Sequence, residues 1–169
     1  MHAAPHAKTL LIVYHTQTGG TRQMVEAAAQ AARGEAGLRV KLLRAFDAGP
    51  DDVLDADGFI FATPENLAAM SGALKDFFDR CYYAAIDRLN GRPYASLVCA
   101  GSDGQNAVRQ IERIATGWRL KAMAEPLIVC TWAQTPEAIL QDKRIAAADI
   151  ERCAALGAAM AAGLSLGVF

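Results

Sequence analysis

The sequence lacks a charge excess and paired cysteines, and each absence excludes a class of protein. Lys and Arg number 17 against 18 Asp and Glu, so no general attraction to nucleic acid or to an anionic membrane is expected. The cysteines form no Cys-x-x-Cys pair and mostly lie in apolar runs, which indicates reduced residues of a cytoplasmic protein, with no disulfide framework and no metal site. They are Cys81, Cys99, Cys130 and Cys153.

We also expect neither a membrane signal nor a targeting signal in this sequence. The opening residues, MHAAPHAK, have no apolar core of the kind that a signal peptide requires. The longest uncharged segment, Cys153 to Phe169, is rich in Ala and Gly and is shorter than the roughly 20 strongly apolar residues of a membrane helix. The length of 169 residues predicts one domain over residues 8–169, preceded by a flexible tail over residues 1–7.

Short apolar runs alternate with helical patterns along the chain. The runs are too short for helices and show little polar alternation, which is typical of strands buried on both faces of a parallel sheet. Strands are predicted at Thr9–Tyr14, Leu38–Leu43, Gly58–Ala62, Ala95–Ala100 and Leu127–Thr131. Helices are predicted at Thr21–Arg33, Met70–Ala85, Gln105–Trp118 and Pro136–Leu164, and a full helix is not expected over Phe46–Asp57. This alternation predicts a doubly wound α/β fold that binds its ligand outside the carboxyl ends of the strands.

The turn after the first predicted strand has the composition of a phosphate site. It comprises Thr16, Gln17, Thr18, Gly19, Gly20 and Thr21. Such a turn can direct backbone N–H groups and hydroxyls at an anion beside the positive end of the following helix. The turn has no lysine, which excludes the Walker form, and no Gly-x-Gly-x-x-Gly, which disfavours a dinucleotide. A single phosphate monoester fits best, and an ordinary strand-to-helix turn with a threonine cap stays open as the alternative.

Two further loops are expected to reach the same edge of the sheet. The third strand is followed by Thr63, Pro64, Glu65, Asn66 and Leu67, and the fourth by Gly101, Ser102, Asp103, Gly104 and Gln105. A phosphate in the first loop and walls from the other two would hold a flat ring between them. Pro64 has a simpler explanation as the end of a strand, because proline cannot donate to the ladder.

Two motifs carry a family resemblance: one comprises Tyr14, Thr16, Gly19 and Thr21, and the other comprises the segments Asp57–Glu65 and Met70–Arg80. With these motifs the chain resembles the flavodoxin-like superfamily, close to its NAD(P)H-dependent FMN reductase and quinone reductase branch. Tyr14, Thr16, Gly19 and Thr21 fill the flavodoxin phosphate motif in register, while Val25 replaces the usual small alanine. The second motif is stronger. The segments Asp57–Glu65 and Met70–Arg80 are similar to the reductase pattern of a strand, Thr/Ser-Pro, and a helix containing Leu-Lys-x-Phe-x-Asp-Arg.

The resemblance implies a five-stranded parallel sheet of order 2-1-3-4-5 with helices on both faces, and FMN as cofactor. Thr16–Thr21 would bind its phosphate, Thr63–Leu67 its ribityl chain and ring, and Gly101–Gln105 the other side of the ring. Backbone N–H groups of residues 65–67 or 103–105 would stabilise the reduced ring. No side chain is assigned a catalytic role, because the flavin carries the chemistry.

The function implied is an oxidoreductase that takes hydride from NADH or NADPH and passes it to a quinone, a flavin or a similar small acceptor. Two alternatives stay open. One is a flavodoxin that carries single electrons, which the nearly neutral charge and the absence of aromatic residues from both ring loops disfavour. The other is a flavodoxin-fold module without enzymatic activity. Whether the chain forms a homo-oligomer is also left open.

Three residues near the predicted site each have two explanations. His15 either contacts the phosphate or packs beside it, and Arg22 either reaches the phosphate or remains in solvent. Trp132, directly after the fifth strand, is either a wall of the site or a core residue.

Overall fold

The computed structural model of the chain describes residues 7–169. The tail predicted for residues 1–7 lies outside the described residues, apart from Ala7. Seven strands form the sheet: β1 (Lys8–Tyr14), β2 (Leu38–Arg44), β3 (Gly58–Asn66), β4 (Ala69–Met70), β5 (Pro93–Ala100), β6 (Lys121–Ala122) and β7 (Leu127–Cys130). The helices are α1 (Gly20–Ala32), α2 (Pro50–Asp55), α3 (Gly72–Ala85), α4 (Gln105–Gly117), α5 (Pro136–Leu140) and α6 (Ala147–Leu166).

The sheet confirms the predicted doubly wound fold. Its main strands run β2-β1-β3-β5-β7, all parallel, which is the predicted order 2-1-3-4-5. Two additional strands of two residues each were not predicted. Of these, β6 pairs with the start of β5 in parallel, and β4 folds back on β3 in an antiparallel hairpin.

Apolar side chains leave the sheet alternately towards two separate cores, which explains the runs without polar residues. Leu11 and Phe61 point to the core beneath α2, α3 and α4, where Phe61 packs edge-on against Phe78 with 4.9 Å between ring centroids. Leu10 and Ile60 point to the core beneath α1 and α6. Both faces of the sheet are therefore buried. No helix within residues 7–169 is long and apolar enough to cross a membrane.

The structure tests the predictions for Phe46–Asp57, where no full helix was expected, and for Pro64. A short helix, α2, occupies part of Phe46–Asp57, where Gly49 N–H donates to the Asp52 carboxylate (3.0 Å) and closes its first turn. Strand β3 continues through Pro64, whose Cα pairs with Cys99 of β5. The interpretation of Pro64 as the end of the strand is therefore wrong. Strand β1 ends at Tyr14, so no β1 residue lies opposite Pro64 and the N–H that proline lacks is not needed for pairing there.

The predicted helix Pro136–Leu164 is wrong in its middle, because the chain leaves helical geometry between α5 and α6. We call residues 141–146 the strap. Its backbone bonds to the loop after β1 and to α1 instead of to its own preceding turn: Lys143 N–H donates to Thr18 O (2.8 Å), and Ile145 N–H to Gln23 Oε1 (3.1 Å). These distant partners replace the helical hydrogen bonds that the local sequence favours.

Candidate functional site

The three predicted loops converge on one cavity of about 560 Å³ at the carboxyl edge of the sheet. They follow β1 and β5 and include the end of β3, and a fourth segment, after β7, closes the remaining side. The lining residues are Thr16, Gln17, Thr18, Gly20, Thr21, Pro64, Glu65, Asn66, Leu67, Cys99, Ala100, Gly101, Ser102, Thr131, Ala133, Gln134, Ile139 and Lys143. The topological rule therefore located the cavity correctly.

The loop after β1 is built around the side chain of Thr16. Its Oγ1 accepts hydrogen bonds from the backbone N–H groups of Gly19 (3.2 Å) and Arg22 (3.4 Å). Gly19 precedes α1 with φ +85°, a left-handed conformation that glycine adopts without steric cost. The loop thus brings the N-terminus of α1 to the cavity, where the partial positive charge of the helix end favours an anion.

Gly20 allows the loop to pass directly over strand β5. A Cβ atom at this position would lie 2.6 Å from Cys99 Sγ, closer than real Cβ atoms approach. Cys99 is buried, and burial raises the pKa of its thiol to about 11. The thiol is therefore protonated near neutral pH and acts as a packing group beneath the loop.

Thr21 supplies the clearest sign of a missing ligand atom. Its side chain is 1% exposed, and its Oγ1 is buried without a hydrogen-bond partner within residues 7–169. A buried hydroxyl without a partner is costly, and such groups in folded proteins generally have one. Because Thr21 also lines the cavity, a phosphate oxygen bound there would satisfy it. The residues present therefore fit a phosphate group.

The end of β3 and the short strand β4 form a hairpin with a strained turn. Glu65 pairs with Met70 and Asn66 with Ala69, so Leu67 and Ala68 are the two turn residues. Both have positive φ, +50° and +60°, as in a type I′ turn, although neither is glycine or asparagine. Leu67 is fully exposed at the tip. Such strain persists only where the surrounding structure holds it.

Contacts from α4 hold the hairpin in place. Asn106 Nδ2 donates to Ala68 O (2.7 Å), and Met70 N–H donates to Gln110 Oε1 (2.8 Å). Thr63 is fully buried: its Oγ1 donates to Pro64 O (2.8 Å) and accepts from Ser71 N–H (2.9 Å). These bonds attach the hairpin to the start of α3 and to α4.

The carboxylate of Glu65 bridges the β3–β4 hairpin and the loop after β5. Glu65 Oε2 accepts the backbone N–H of Gly104 at 2.6 Å. That N–H group is therefore already occupied, and it is not free to stabilise a reduced ring as the sequence suggested. Gly104 has φ +83° and packs against β5 and β7, so it shapes the loop from behind.

The structure brings most of the predicted residues to the cavity and leaves five outside its lining. Those on the lining are Thr16, Gln17, Thr18, Gly20, Thr21, Pro64, Glu65, Asn66, Leu67, Gly101 and Ser102. Those that do not line it are Gly19, Thr63, Asp103, Gly104 and Gln105. Gly19, Thr63 and Gly104 fix the shape of their loops through the contacts described above.

Sequence reasoning missed the strap and its lysine. Lys143 lines the cavity and provides a cation that the loop after β1 lacks. Gln23 of α1 fixes the strap, because its Nε2 donates both to Gly19 O (2.9 Å) and to Lys143 O (2.6 Å). No local motif marks Gln23 or Lys143, since the two residues are 120 positions apart in the sequence.

His15, Arg22 and Trp132 do not line the cavity. His15 packs edge-on against Phe46 at 6.0 Å, and burial, assisted by the charge of Arg44, lowers the pKa of its imidazole. Arg22 is exposed, 3.9 Å from Glu26. Trp132 is 70% exposed, which excludes the core interpretation, and its backbone N–H donates to Gly101 O (2.8 Å).

A family model described as NADPH-dependent FMN reductase matches residues 44–134, more than half of the chain. The chain belongs to this family. The match includes the hairpin after β3, the loop after β5 and the segment after β7, and it begins after the loop of residues 16–21. The predicted family is confirmed.

Curated relatives show similarity over shorter stretches. A flavodoxin from Aquifex aeolicus is 40% identical over 70 residues, covering 41% of this chain and 38% of that protein. An NAD(P)H dehydrogenase (quinone) from Acidithiobacillus ferrooxidans is 33% identical over 91 residues, covering 42% of this chain and 46% of that protein. The chain thus matches less than half the length of these relatives.

Solved structures confirm the fold over nearly the whole chain. A flavodoxin from the domain Archaea superposes with a TM-score of 0.74 at 16% identity, and the superposition covers 93% of this chain and 99% of the flavodoxin chain. A flavodoxin, WrbA-like protein from Agrobacterium tumefaciens superposes with a TM-score of 0.69 at 20% identity, covering 94% of this chain and 98% of that chain. Oxidised Flavodoxin 1 from Bacillus cereus superposes with a TM-score of 0.72 at 17% identity, covering 93% of this chain and 99% of that chain.

Proposed function

We propose that this chain is an FMN-dependent oxidoreductase that takes hydride from NADH or NADPH and passes it to a quinone, a flavin or a similar small acceptor. The observation that carries the proposal is the cavity formed by the three loops, with the Thr21 hydroxyl buried at its edge and without a partner among the described residues. Family membership supports the same cofactor. The proposal includes a single FMN-binding domain over residues 8–169 and a cytoplasmic location.

The phosphate of FMN would be held by the loop of residues 16–21. Thr21 Oγ1 would donate to it, and the helix N-terminus and Lys143 would balance its charge. The Nζ of Lys143 already donates to Ile139 O (2.8 Å) and Gln141 O (2.5 Å). These two bonds hold the ammonium beside the cavity, so that little side-chain freedom remains to be lost when an anion binds.

The ring of FMN would lie between the hairpin after β3 and the loop after β5. Pro64, Glu65, Asn66, Gly101 and Ser102 supply these walls. When bound, FMN supplies hydride transfer between a nicotinamide and an acceptor. Among the described residues, no aromatic side chain lines the cavity, so one ring face would stay open for the nicotinamide.

Glu65 would position the two walls and would not transfer protons. Its carboxylate is bound to Gly104 N–H at 2.6 Å, which fixes the distance between the hairpin and the loop after β5. An ionised carboxylate that accepts a backbone N–H gives a strong, directional bond. Backbone N–H groups of residues 65–67 remain candidates for stabilising negative charge on the reduced ring.

The first test is an absorbance spectrum of the protein after incubation with FMN and removal of the excess, followed by anaerobic NADH or NADPH. Retained flavin bands that bleach rapidly with a nicotinamide would support the reductase. A protein that retains no flavin would support the non-enzymatic module instead.

The double variant Thr18→Ala, Thr21→Ala is expected to lose FMN binding. Unchanged affinity would refute the phosphate assignment, and exposed Thr116→Ala on α4 is the matched control.

A single-electron flavodoxin is the second candidate function. The specific observation that favours it is the 40% identity over 70 residues to the flavodoxin from Aquifex aeolicus. Bound flavin that accepts single electrons but does not react with either nicotinamide would support the carrier. The nearly neutral charge of the chain and the absence of aromatic side chains from the described lining of the cavity favour the reductase.

A further inference from the structure

A second cavity of about 620 Å³ is lined by residues of β4, α3 and α4. We call it the α3–α4 groove. None of its lining residues is shared with the first cavity, so it is a separate site. It is lined by Ala69, Met70, Gly72, Lys75, Asn106, Arg109, Gln110, Arg113 and Ile114.

The groove contains two unpaired positive charges. Arg109 and Arg113 are exposed one turn apart on α4, and within residues 7–169 no carboxylate lies within 4.0 Å of either guanidinium. Two like charges at this spacing destabilise a helix, and an anion between them removes the repulsion. Lys75, in contrast, is paired with Asp79 at 2.7 Å. The groove therefore favours a ligand with negative charge near α4.

The rest of the groove is suited to a flat, partly apolar group. Met70 and Ile114 provide apolar surface, while Asn106 and Gln110 provide amide groups beside it. Guanidinium groups bind phosphate bidentately and stack on aromatic faces. A heterocyclic base that carries a phosphate matches this combination of surfaces better than an inorganic anion does.

The hairpin connects this groove to the first cavity. Asn66 and Leu67 line the first cavity, whereas Ala69 and Met70, directly after the turn, line the groove. Asn106 and Gln110 of α4 belong to the groove and also hold the hairpin through their bonds to Ala68 and Met70. The two cavities therefore border the same hairpin, one on each side of its turn.

We propose that the α3–α4 groove binds the adenosine 2′-phosphate portion of NADPH, with Arg109 and Arg113 holding the phosphate. The proposal rests on the proposed function, because the nicotinamide end would lie in the first cavity. It selects NADPH over NADH as hydride donor, since NADH lacks the charged group that the two arginines would recognise. Substrate preference would then be set outside the FMN cavity.

The test is calorimetric titration of adenosine 2′,5′-bisphosphate into the FMN-loaded full chain. The double variant Arg109→Ala, Arg113→Ala is expected to weaken binding by at least about tenfold. Arg33→Ala, an exposed arginine at the end of α1, is the matched control and is expected to bind as the unmodified protein does. Absence of binding to the unmodified protein, or equal binding to the double variant, would overturn the proposal.

Kinetics and sedimentation separate this proposal from the proposed function. The double variant is expected to raise KM for NADPH with little change in KM for NADH or in FMN affinity. If neither nicotinamide reduces bound FMN but the bisphosphate binding still depends on the two arginines, the proposed function fails while the groove assignment stands. If the double variant instead dissociates an oligomer and leaves nucleotide binding unchanged, the groove is a subunit contact and the proposal is wrong.

Discussion

The two sides of the FMN cavity are built in different ways. On the phosphate side, the loop after β1 lies on Cys99 and is fixed to the strap by Gln23. On the ring side, the hairpin turn is strained and exposed at Leu67 and depends on bonds from α4. Packed and multiply bonded elements have fewer conformations to lose when a ligand binds. We therefore expect the phosphate side to determine cofactor affinity and the hairpin side to determine which substrates react.

Among single substitutions, the largest effect on FMN affinity is expected from Gly20→Ala. The added Cβ would collide with Cys99 Sγ and displace the loop, so FMN affinity should fall by about 100-fold or more. Fluorescence titration of FMN measures the loss. The matched control is the double variant Gly20→Ala, Cys99→Ala, in which removal of the sulfur should restore most of the affinity. If the double variant binds no better than Gly20→Ala, the collision with Cys99 is not the cause.

Thr21→Val should change stability and affinity in opposite directions. Valine has nearly the same shape but lacks the buried hydroxyl, so the FMN-free protein should gain about 1 kcal/mol of stability. FMN affinity should fall by about tenfold or more, because a bond to the charged phosphate is lost. Thermal denaturation with and without FMN measures both effects. If stability and affinity fall together, the hydroxyl has a structural partner and the phosphate assignment is wrong.

Gln23→Ala should weaken FMN binding without contact to the cofactor. It removes the bonds to Gly19 O, Lys143 O and Ile145 N–H that join the loop after β1 to the strap. We expect a loss of affinity of about tenfold, measured by the same titration. Gln30→Ala, at an exposed position of α1, is the matched control. Equal affinity in both variants would mean that the strap does not support the phosphate loop.

The phosphate loop was predictable from sequence, whereas the strap was not. The run from Leu10 to Thr21 combines a buried strand, two glycines and three threonines, and the convergence of loops follows from the parallel sheet. The strap instead depends on Gln23, which bonds to residues 120 and 122 positions away. Local propensity favours a continuous helix there, and only the folded chain supplies the competing partners.

The hairpin shows the same limit of local reasoning. Turn rules expect Asn-Gly or a similar pair between two strands, but this turn contains Leu67 and Ala68. The turn therefore has no local sequence signal. Asn106 and Gln110, on a helix that begins about 40 positions later, hold it in a conformation that its own residues disfavour. Such strained positions are concentrated at functional sites, where they are part of ligand recognition.

The smallest effect on cofactor affinity is expected from relieving this strain. The double variant Leu67→Asn, Ala68→Gly introduces residues that adopt positive φ readily, so stability should rise by about 1 kcal/mol. FMN affinity should remain within about twofold of the unmodified protein, because neither side chain supports the phosphate loop. Denaturant unfolding measures the stability, and FMN titration measures the affinity.

The same variant also tests the division of roles between the two sides. Leu67 is fully exposed at the mouth of the cavity, where an acceptor or a nicotinamide would enter. Removal of its apolar side chain should therefore raise KM for an apolar quinone acceptor while leaving the FMN affinity unchanged. A large loss of FMN affinity would show that the hairpin carries cofactor binding as well. The two sides of the cavity would then act as one binding unit, and the contrast between them would describe their packing but not their function.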